Sequence, residues 1–171
     1  RPERVPGYAA DMGPVLRVIS GDDWNDLRAL RLRALADSPN AFGVTLAEAA
    51  SNPEAVWRGR ADGPGPVLMA YSDEAPIAMG GLHAPEHSHD AFVWGMWVDP
   101  DSRGQGLGAR ILRELLDRAR RLDRSVELHV TEGNNGARRL YESHSFTSTG
   151  EWQPLREGSE VRVETLRLQP S

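Results

Sequence analysis

The chain contains no cysteine. That excludes disulfides, cysteine-ligated metals and a cysteine nucleophile, and it fits a reducing, cytoplasmic setting. Lysine is also absent, so all 20 basic residues are arginines, set against 25 acidic ones for a net charge of −5. Without a basic excess, nonspecific nucleic-acid binding is disfavoured, because such binding is dominated by phosphate neutralisation. A small cationic partner remains compatible with this charge. No apolar run has the length of a membrane span and no charged-then-apolar signal pattern opens the chain, so no membrane partner is expected. Internal repeats and low-complexity segments are lacking too.

What remains is enough for one globular domain, since 39% of the 171 residues are hydrophobic. Arg1–Gly13 begins without Met and holds two prolines and two glycines but no apolar periodicity, so it reads as a flexible leader to a single domain over 14–171. Val15–Ile19 is a short strand. Ser20 and Asp22 offer capping oxygens to a helix over Asp23–Ala36, whose Trp24, Leu27, Leu30, Ala34 and Leu35 recur at helical spacing. Ala41–Ala50 reads as loop or short helix, and Pro53 as the first residue of a helix carrying Trp57.

Strands follow at Val67–Tyr71 and Pro76–His83, joined by the turn Ser72-Asp73-Glu74, and then at Ala91–Val98. A helix over Gly106–Arg121 shows an apolar stripe of Leu107, Ile111, Leu112, Leu115 and Leu116. The chain closes with a strand (Ser125–Val130), a helix (Asn135–Ser143) and two strands (Phe146–Trp152 and Val161–Leu168). This order predicts an α+β domain in which a mixed central sheet carries helices on both faces.

The stretch Val98-Asp99-Pro100-Asp101-Ser102-Arg103-Gly104-Gln105-Gly106-Leu107-Gly108 leaves an apolar strand and enters an amphipathic helix. Its glycines let backbone N–H groups approach a ligand closely, and the helix start behind them carries partial positive charge. Together they suit a phosphate or pyrophosphate. A Walker A loop would need a lysine, and none follows. A dinucleotide fingerprint needs Gly-x-Gly-x-x-Gly, whereas this loop is spaced Gly104-x-Gly106-x-Gly108, and the surrounding βαβαβ repeat is missing.

The third reading is Arg103-x-x-Gly106-x-Gly108 after an apolar strand and an Asp99-Pro100 turn. It resembles the acetyl-CoA-binding motif of the Gcn5-related N-acetyltransferase (GNAT) superfamily. Twenty-six residues past Gly108 stands Asn134-Asn135-Gly136-Ala137-Arg138-Arg139-Leu140-Tyr141-Glu142, which resembles that superfamily's Asn-x-x-Ala-x-x-Leu-Tyr-Glu motif. Phe146 follows where its usual Gly-Phe stands, with Ser145 in place of the glycine. The resemblance covers about Val67 to Phe146.

The resemblance implies a GNAT-like fold and an acetyl-CoA-dependent N-acetyltransferase. It implies that Arg103, Gly104, Gln105, Gly106, Leu107 and Gly108 wrap the CoA pyrophosphate, and that Met96, Trp97 and Val98 pair with the pantetheine arm on a strand splayed from its neighbour. Asn134, with Ala137 beside it, would lie near the pantetheine. Tyr141 falls at the position of the usual general acid, which protonates the departing thiolate.

An amine acceptor is mostly ammonium at neutral pH and must lose a proton before attack. Alternation along Ser125–Thr131 puts Glu127, His129 and Thr131 on one face. His129 stands where several family members carry a carboxylate base, and imidazole has suitable acid–base character, so His129 is the leading base candidate, with Glu127 and Glu132 behind it. His83, His87 and His89 lack a carboxylate or cysteine at familiar metal spacing, so a solvated turn is the better reading and no metal is expected.

Phe42 lies in the segment that lines the acceptor site in this superfamily, and Asp90 and Glu132 are acidic residues near strand ends that would select a cationic amine. The acceptor expected on these grounds is a small cationic molecule; a protein N-terminus or lysine is the alternative, as is a non-catalytic acyl-CoA-binding module. Many relatives dimerise, which makes a homodimer paired through Phe146–Leu168 a further expectation of the resemblance.

Overall fold

The computed structural model describes residues 13–170; apart from Gly13, the expected leader lies outside them. Seven strands form one sheet in the order β1-β2-β3-β4-β5-β7-β6. They are β1 (Val15–Val18), β2 (Val67–Ser72), β3 (Ala75–His83), β4 (Asp90–Val98), β5 (Ser125–Thr131), β6 (Phe146–Pro154) and β7 (Arg162–Leu168). The helices are α1 (Trp24–Asp37), α2 (Leu46–Ala50), α3 (Glu54–Asp62), α4 (Leu107–Arg121) and α5 (Asn135–Ser143). All strand neighbours are antiparallel except β4 and β5. The sequence therefore placed the strands and the helices α1, α4 and α5 to within a few residues, and the segment left open as loop or short helix holds α2. One small difference is Pro53, which stands in extended conformation just before α3 rather than inside it.

Period-two alternation on β2 explains the two cores. Val67, Met69 and Tyr71 face one way, onto Leu27, Leu30 and Ala34 of α1 and Trp57 of α3. Leu68 and Ala70 face the other way, onto Ile111, Leu112 and Leu115 of α4. Helices thus cover both faces, as the α+β reading expected. A capping box, in which Ser20 and Asp23 each satisfy the other's backbone, starts the turn leading into α1. The last two strands pair with each other, and β7 pairs with β5, all within the chain.

Two local features of β4 open the sheet. Gly95 has φ of +68°, and β4 carries an extra residue opposite Gly80, a β-bulge that turns the strand. Parallel pairing of β4 with β5 is confined to Asp90, Ala91 and Phe92 against Ser125, Val126 and Glu127. Beyond Phe92 the two strands part.

Ser145 links α5 to β6 with φ of +71°. The turn keeps its left-handed conformation although a side chain stands where the resemblance expects glycine, and it is held by the Ser145 N–H to Glu142 O bond and the Gln169 N–H to Ser145 O bond. A Cβ in that region costs about 1–2 kcal/mol, part of which glycine returns through its freer unfolded chain. Ser145→Gly is expected to raise stability by about 0.5–1 kcal/mol, read as a higher urea midpoint at unchanged slope; a lowered midpoint would contradict this.

Candidate active site

The parting of β4 and β5 opens a gap that continues as a groove of about 700 Å³ toward the start of α4. Its lining includes Met96, Trp97 and Val98 of β4, Arg103, Gly104, Gly106, Leu107 and Gly108 of the loop, and Asn134, Ala137, Leu140 and Tyr141 around α5. The sequence-nominated residues of both motifs are thus brought together. Gln105 is the exception: it is exposed at the loop's crest and outside the lining.

Gly104 (φ +78°) and Gly106 (φ +77°) are left-handed, which only glycine adopts cheaply. Gly106 caps α4 without any side-chain acceptor, and the first intrahelical bond runs from Arg110 N–H to Gly106 O. The N–H groups of Leu107, Gly108 and Ala109 are therefore left for an acceptor from outside the helix, at its positive end. Gly108 is not left-handed, and a Cβ there would meet Leu140 and Val98 at ordinary contact distances of 3.4 and 3.8 Å.

Asp37, at the end of α1, ties this loop down. Its Oδ2 accepts from Trp97 Nε1 at 3.0 Å and from Arg103 Nη2 at 2.8 Å, and Ser38 Oγ donates to it at 2.7 Å. These bonds, with Ser38's the largest contribution, hold the carboxyl below the usual carboxylate range. Arg103 also donates from Nε to Val98 O at 2.9 Å. Its side chain thus braces the loop, and the loop's free N–H groups face the groove.

Asn134 caps α5, its Oδ1 accepting from Ala137 N–H at 3.3 Å, and it lines both this groove and a second cavity. That cavity, about 180 Å³, is bounded by Phe42, Phe92, Trp94, Met96, His129 and Arg31, among others. Tyr141 also belongs to both, so it stands at their junction. Only 6% exposed, its hydroxyl has its pKa pushed up to about 12 by burial. It is a protonated donor throughout the neutral range.

His129 is exposed on the wall of the smaller cavity and packs edge-to-face on Phe92, with ring centroids 4.7 Å apart. Desolvation lowers its pKa and outweighs the opposing charge of Glu127, so the imidazole is neutral at pH 7. The other polar residues of that strand face have structural partners. Thr131 Oγ1 donates to Asn40 O at 2.7 Å, and Glu127 accepts from Arg167 Nε at 2.9 Å. Glu132, the remaining fallback, pairs with Arg162 at 3.2 Å. Among the described residues, no side-chain hydrogen bond engages His129.

Two expectations about the acceptor side fare differently. Phe42 does line the smaller cavity. Asp90 does not; it sits exposed at the paired beginning of β4, before the strands part. Among the described residues no acidic side chain lines the smaller cavity, so carboxylate selection of a cationic acceptor has no basis in its walls.

Sequence reasoning missed Arg31, Phe92 and Trp94 as cavity residues. Arg31 had a readable signal, since it follows Leu27 by four and precedes Ala34 and Leu35 by three and four. It is a charge inside the apolar stripe of α1. It is 8% exposed, its guanidinium lies 4.5 Å over Phe42 and 5.8 Å from the Trp94 ring, and burial chiefly, with Arg60 nearby, lowers its pKa to about 10.

Helix α5 is anchored by Arg138, whose Nη2 donates to Glu164 Oε2 at 2.6 Å. Burial of Glu164, 3% exposed, opposes its ionisation, but hydrogen bonds from Ser148 and Arg138 outweigh that and hold its pKa low. Removing one partner strands a buried charge. Arg138→Met is expected to cost about 2–3 kcal/mol, discounted for the partly exposed arginine, and Arg138→Met with Glu164→Leu to recover most of it. Thermal unfolding checks both; a double variant no more stable than the single would contradict the assignment.

The comparisons with known proteins bear on the family and the fold. The model of the Acetyltransferase (GNAT) family matches residues 28–146, which takes in most of α1 as well as both motifs. A mycothiol acetyltransferase of Beutenbergia cavernae is 36% identical over 146 residues, covering 79% of this chain and 46% of that protein. An L-2,4-diaminobutyric acid acetyltransferase of Vibrio parahaemolyticus is 32% identical over 76 residues, covering 44% and 42% respectively. The matched stretches thus span about half the length of these curated relatives. Among solved structures, yncA from Salmonella typhimurium, determined with its cofactor acetyl-CoA, superposes with a TM-score of 0.71 at 20% identity, covering 92% of this chain and 94% of that one. The ribosomal-protein-S18-alanine N-acetyltransferase of Escherichia coli gives 0.68 at 18% identity, covering 91% and 92%.

Proposed function

Because the chain belongs to the GNAT acetyltransferase family, we propose that it transfers the acetyl group of acetyl-CoA to the primary amine of a small molecule, by direct attack with both substrates bound. The observation that carries this reading is Tyr141, a buried and protonated hydroxyl shared by the groove and the smaller cavity. One space suits the donor, the other the acceptor, and the donor of a proton stands between them. Both of these curated relatives are named for small molecules rather than proteins, and the smaller cavity, at about 180 Å³, has the size of a small amine.

The groove's own chemistry fits acetyl-CoA. The N–H groups at the start of α4 and the left-handed Gly104 and Gly106 would receive the pyrophosphate. The β5-facing edge of β4 beyond Phe92 has no strand partner among the described residues and would receive the amide groups of the pantetheine arm. Acetyl-CoA supplies an acyl group activated as a thioester. The protein supplies alignment and two proton movements. Neutral His129 takes a proton from the acceptor ammonium, directly or through water, which frees the nitrogen lone pair. The new C–N bond forms as the C–S bond breaks, the Tyr141 hydroxyl gives its proton to the leaving sulfur, and the second proton shed by the acylated nitrogen restores the tyrosine hydroxyl through water. Trp97 and Arg103, braced by Asp37, keep the loop in place during this exchange.

A pH–rate series for thiol release over an amine panel tests the two roles together. Tyr141→Phe is expected to lower kcat by about 10²–10³-fold with little change in acetyl-CoA affinity. In wild type, activity should fall as pH drops through the lowered His129 pKa, below the ordinary 6.5; His129→Ala should lose that limb. An unchanged kcat in Tyr141→Phe removes it from the reaction, and a retained acidic limb in His129→Ala removes the histidine.

A further inference from the structure

Arg31 lines not only the smaller cavity but also a neighbouring one of about 520 Å³, where Arg60 joins it; Phe92 and Trp94 belong to both walls. The charge of Arg60 is close enough to help lower the Arg31 pKa. Among the described residues, no acidic side chain lines either cavity and no ion pair engages Arg31 or Arg60. Nε and Nη1 of Arg31 are buried without any hydrogen-bond partner.

A buried charge normally has a counter-ion or a full set of hydrogen bonds, because desolvation penalises it heavily otherwise. Here the aromatic faces of Phe42 and Trp94 offset only part of that cost; Nε and Nη1 are enclosed and unpaired, and Nη2 is the nitrogen of the planar group outside that enclosed set. A guanidinium fork matches a carboxylate bidentately. The rest of the wall is apolar or aromatic, apart from His129, Thr131 and Asn134 at the acetyl-transfer end.

We propose that Arg31 is the specificity residue for the acceptor, and that the acceptor is an amino carboxylate whose carboxylate it binds while the amine is presented to His129 and Tyr141. Arg60 adds positive potential from the far side. A di- or polyamine without a carboxylate meets a cation with no compensating anion. The inference rests on the acetyltransferase reading and narrows it from any small amine to a zwitterionic one.

Two measurements test it separately. In protein saturated with CoA and labelled with ¹⁵N at arginine, the Arg31 Nε–H resonance, identified by its loss in Arg31→Met, is followed while sodium acetate or sodium chloride is added. A saturable shift with acetate alone, with half-saturation on the order of 10 mM, is expected for one isolated carboxylate; no saturable shift overturns the proposal whatever the enzyme's activity.

Thiol release is then compared within pairs that differ only by the carboxylate: L-2,4-diaminobutyrate with 1,3-diaminopropane, L-lysine with 1,5-diaminopentane, and L-alanine with ethylamine. The carboxylate-bearing member of a turned-over pair should be favoured by about 10²-fold or more in kcat/KM, since its absence leaves a buried polar group unpaired. Arg31→Met should erase that preference while CoA affinity, measured by calorimetry, stays unchanged. Equal or better turnover of the decarboxylated amine overturns the proposal and leaves the acetyltransferase standing. Turnover of no amine, with CoA still bound, removes the acetyltransferase reading, and the acetate titration then decides on Arg31 alone.

Discussion

Two parallel strands that separate after three paired residues leave a row of backbone donors and acceptors that their own sheet does not satisfy. The separation of β4 from β5 is the constraint on which the rest of the molecule depends. It is built covalently into the chain: Gly95 takes a left-handed conformation and the bulge opposite Gly80 turns β4 away. A Cβ on Gly80 would run into Met96 and Ile111, so the close approach of β3 to α4 beneath the bulge also requires glycine. Meanwhile β7 pairs with β5 on its other side, so the gap does not close by shifting β5. One opening thereby serves both sides of the sheet, with the glycine loop at one end and the aromatic cavity at the other.

Electrostatics are divided along that opening. The loop end offers backbone N–H groups and a helix terminus, suited to a diffuse anion. The centre holds a hydroxyl kept protonated by burial and an imidazole kept neutral by desolvation, so donor and acceptor of protons coexist at pH 7. The far end holds an arginine whose charge the fold leaves unanswered. The partly buried Arg138–Glu164 pair fixes α5, and with it Tyr141, against β7. The proposed binding and proton transfer thus rest on different physical devices.

Legibility in the sequence followed the range of the interactions. The glycine loop and the Asn134–Tyr141 segment were readable because each is a local pattern whose backbone conformation and helix start are set by neighbouring residues. The two-sided sheet was readable from alternation on Val67–Tyr71 and from the stripe on α4. The brace on the loop was not, because Asp37 meets Trp97 and Arg103 from more than fifty positions away. Asp90 looked useful as a strand-end charge, yet the strand begins on the paired side of the gap. Arg31 was visible as a charge within an apolar stripe, but only the cavities around it give that irregularity a meaning.

The central claim is that the open edge of β4 and the first turn of α4 together receive the donor. Amide hydrogen exchange of the protein with and without CoA tests it most directly. Protection should rise by at least about tenfold at Leu107, Gly108 and Ala109 and along β4 beyond Phe92, where the free N–H groups find acceptors, and change little in β1 and β6. Tight CoA binding with unaltered exchange in the gap and at the start of α4 would contradict the account.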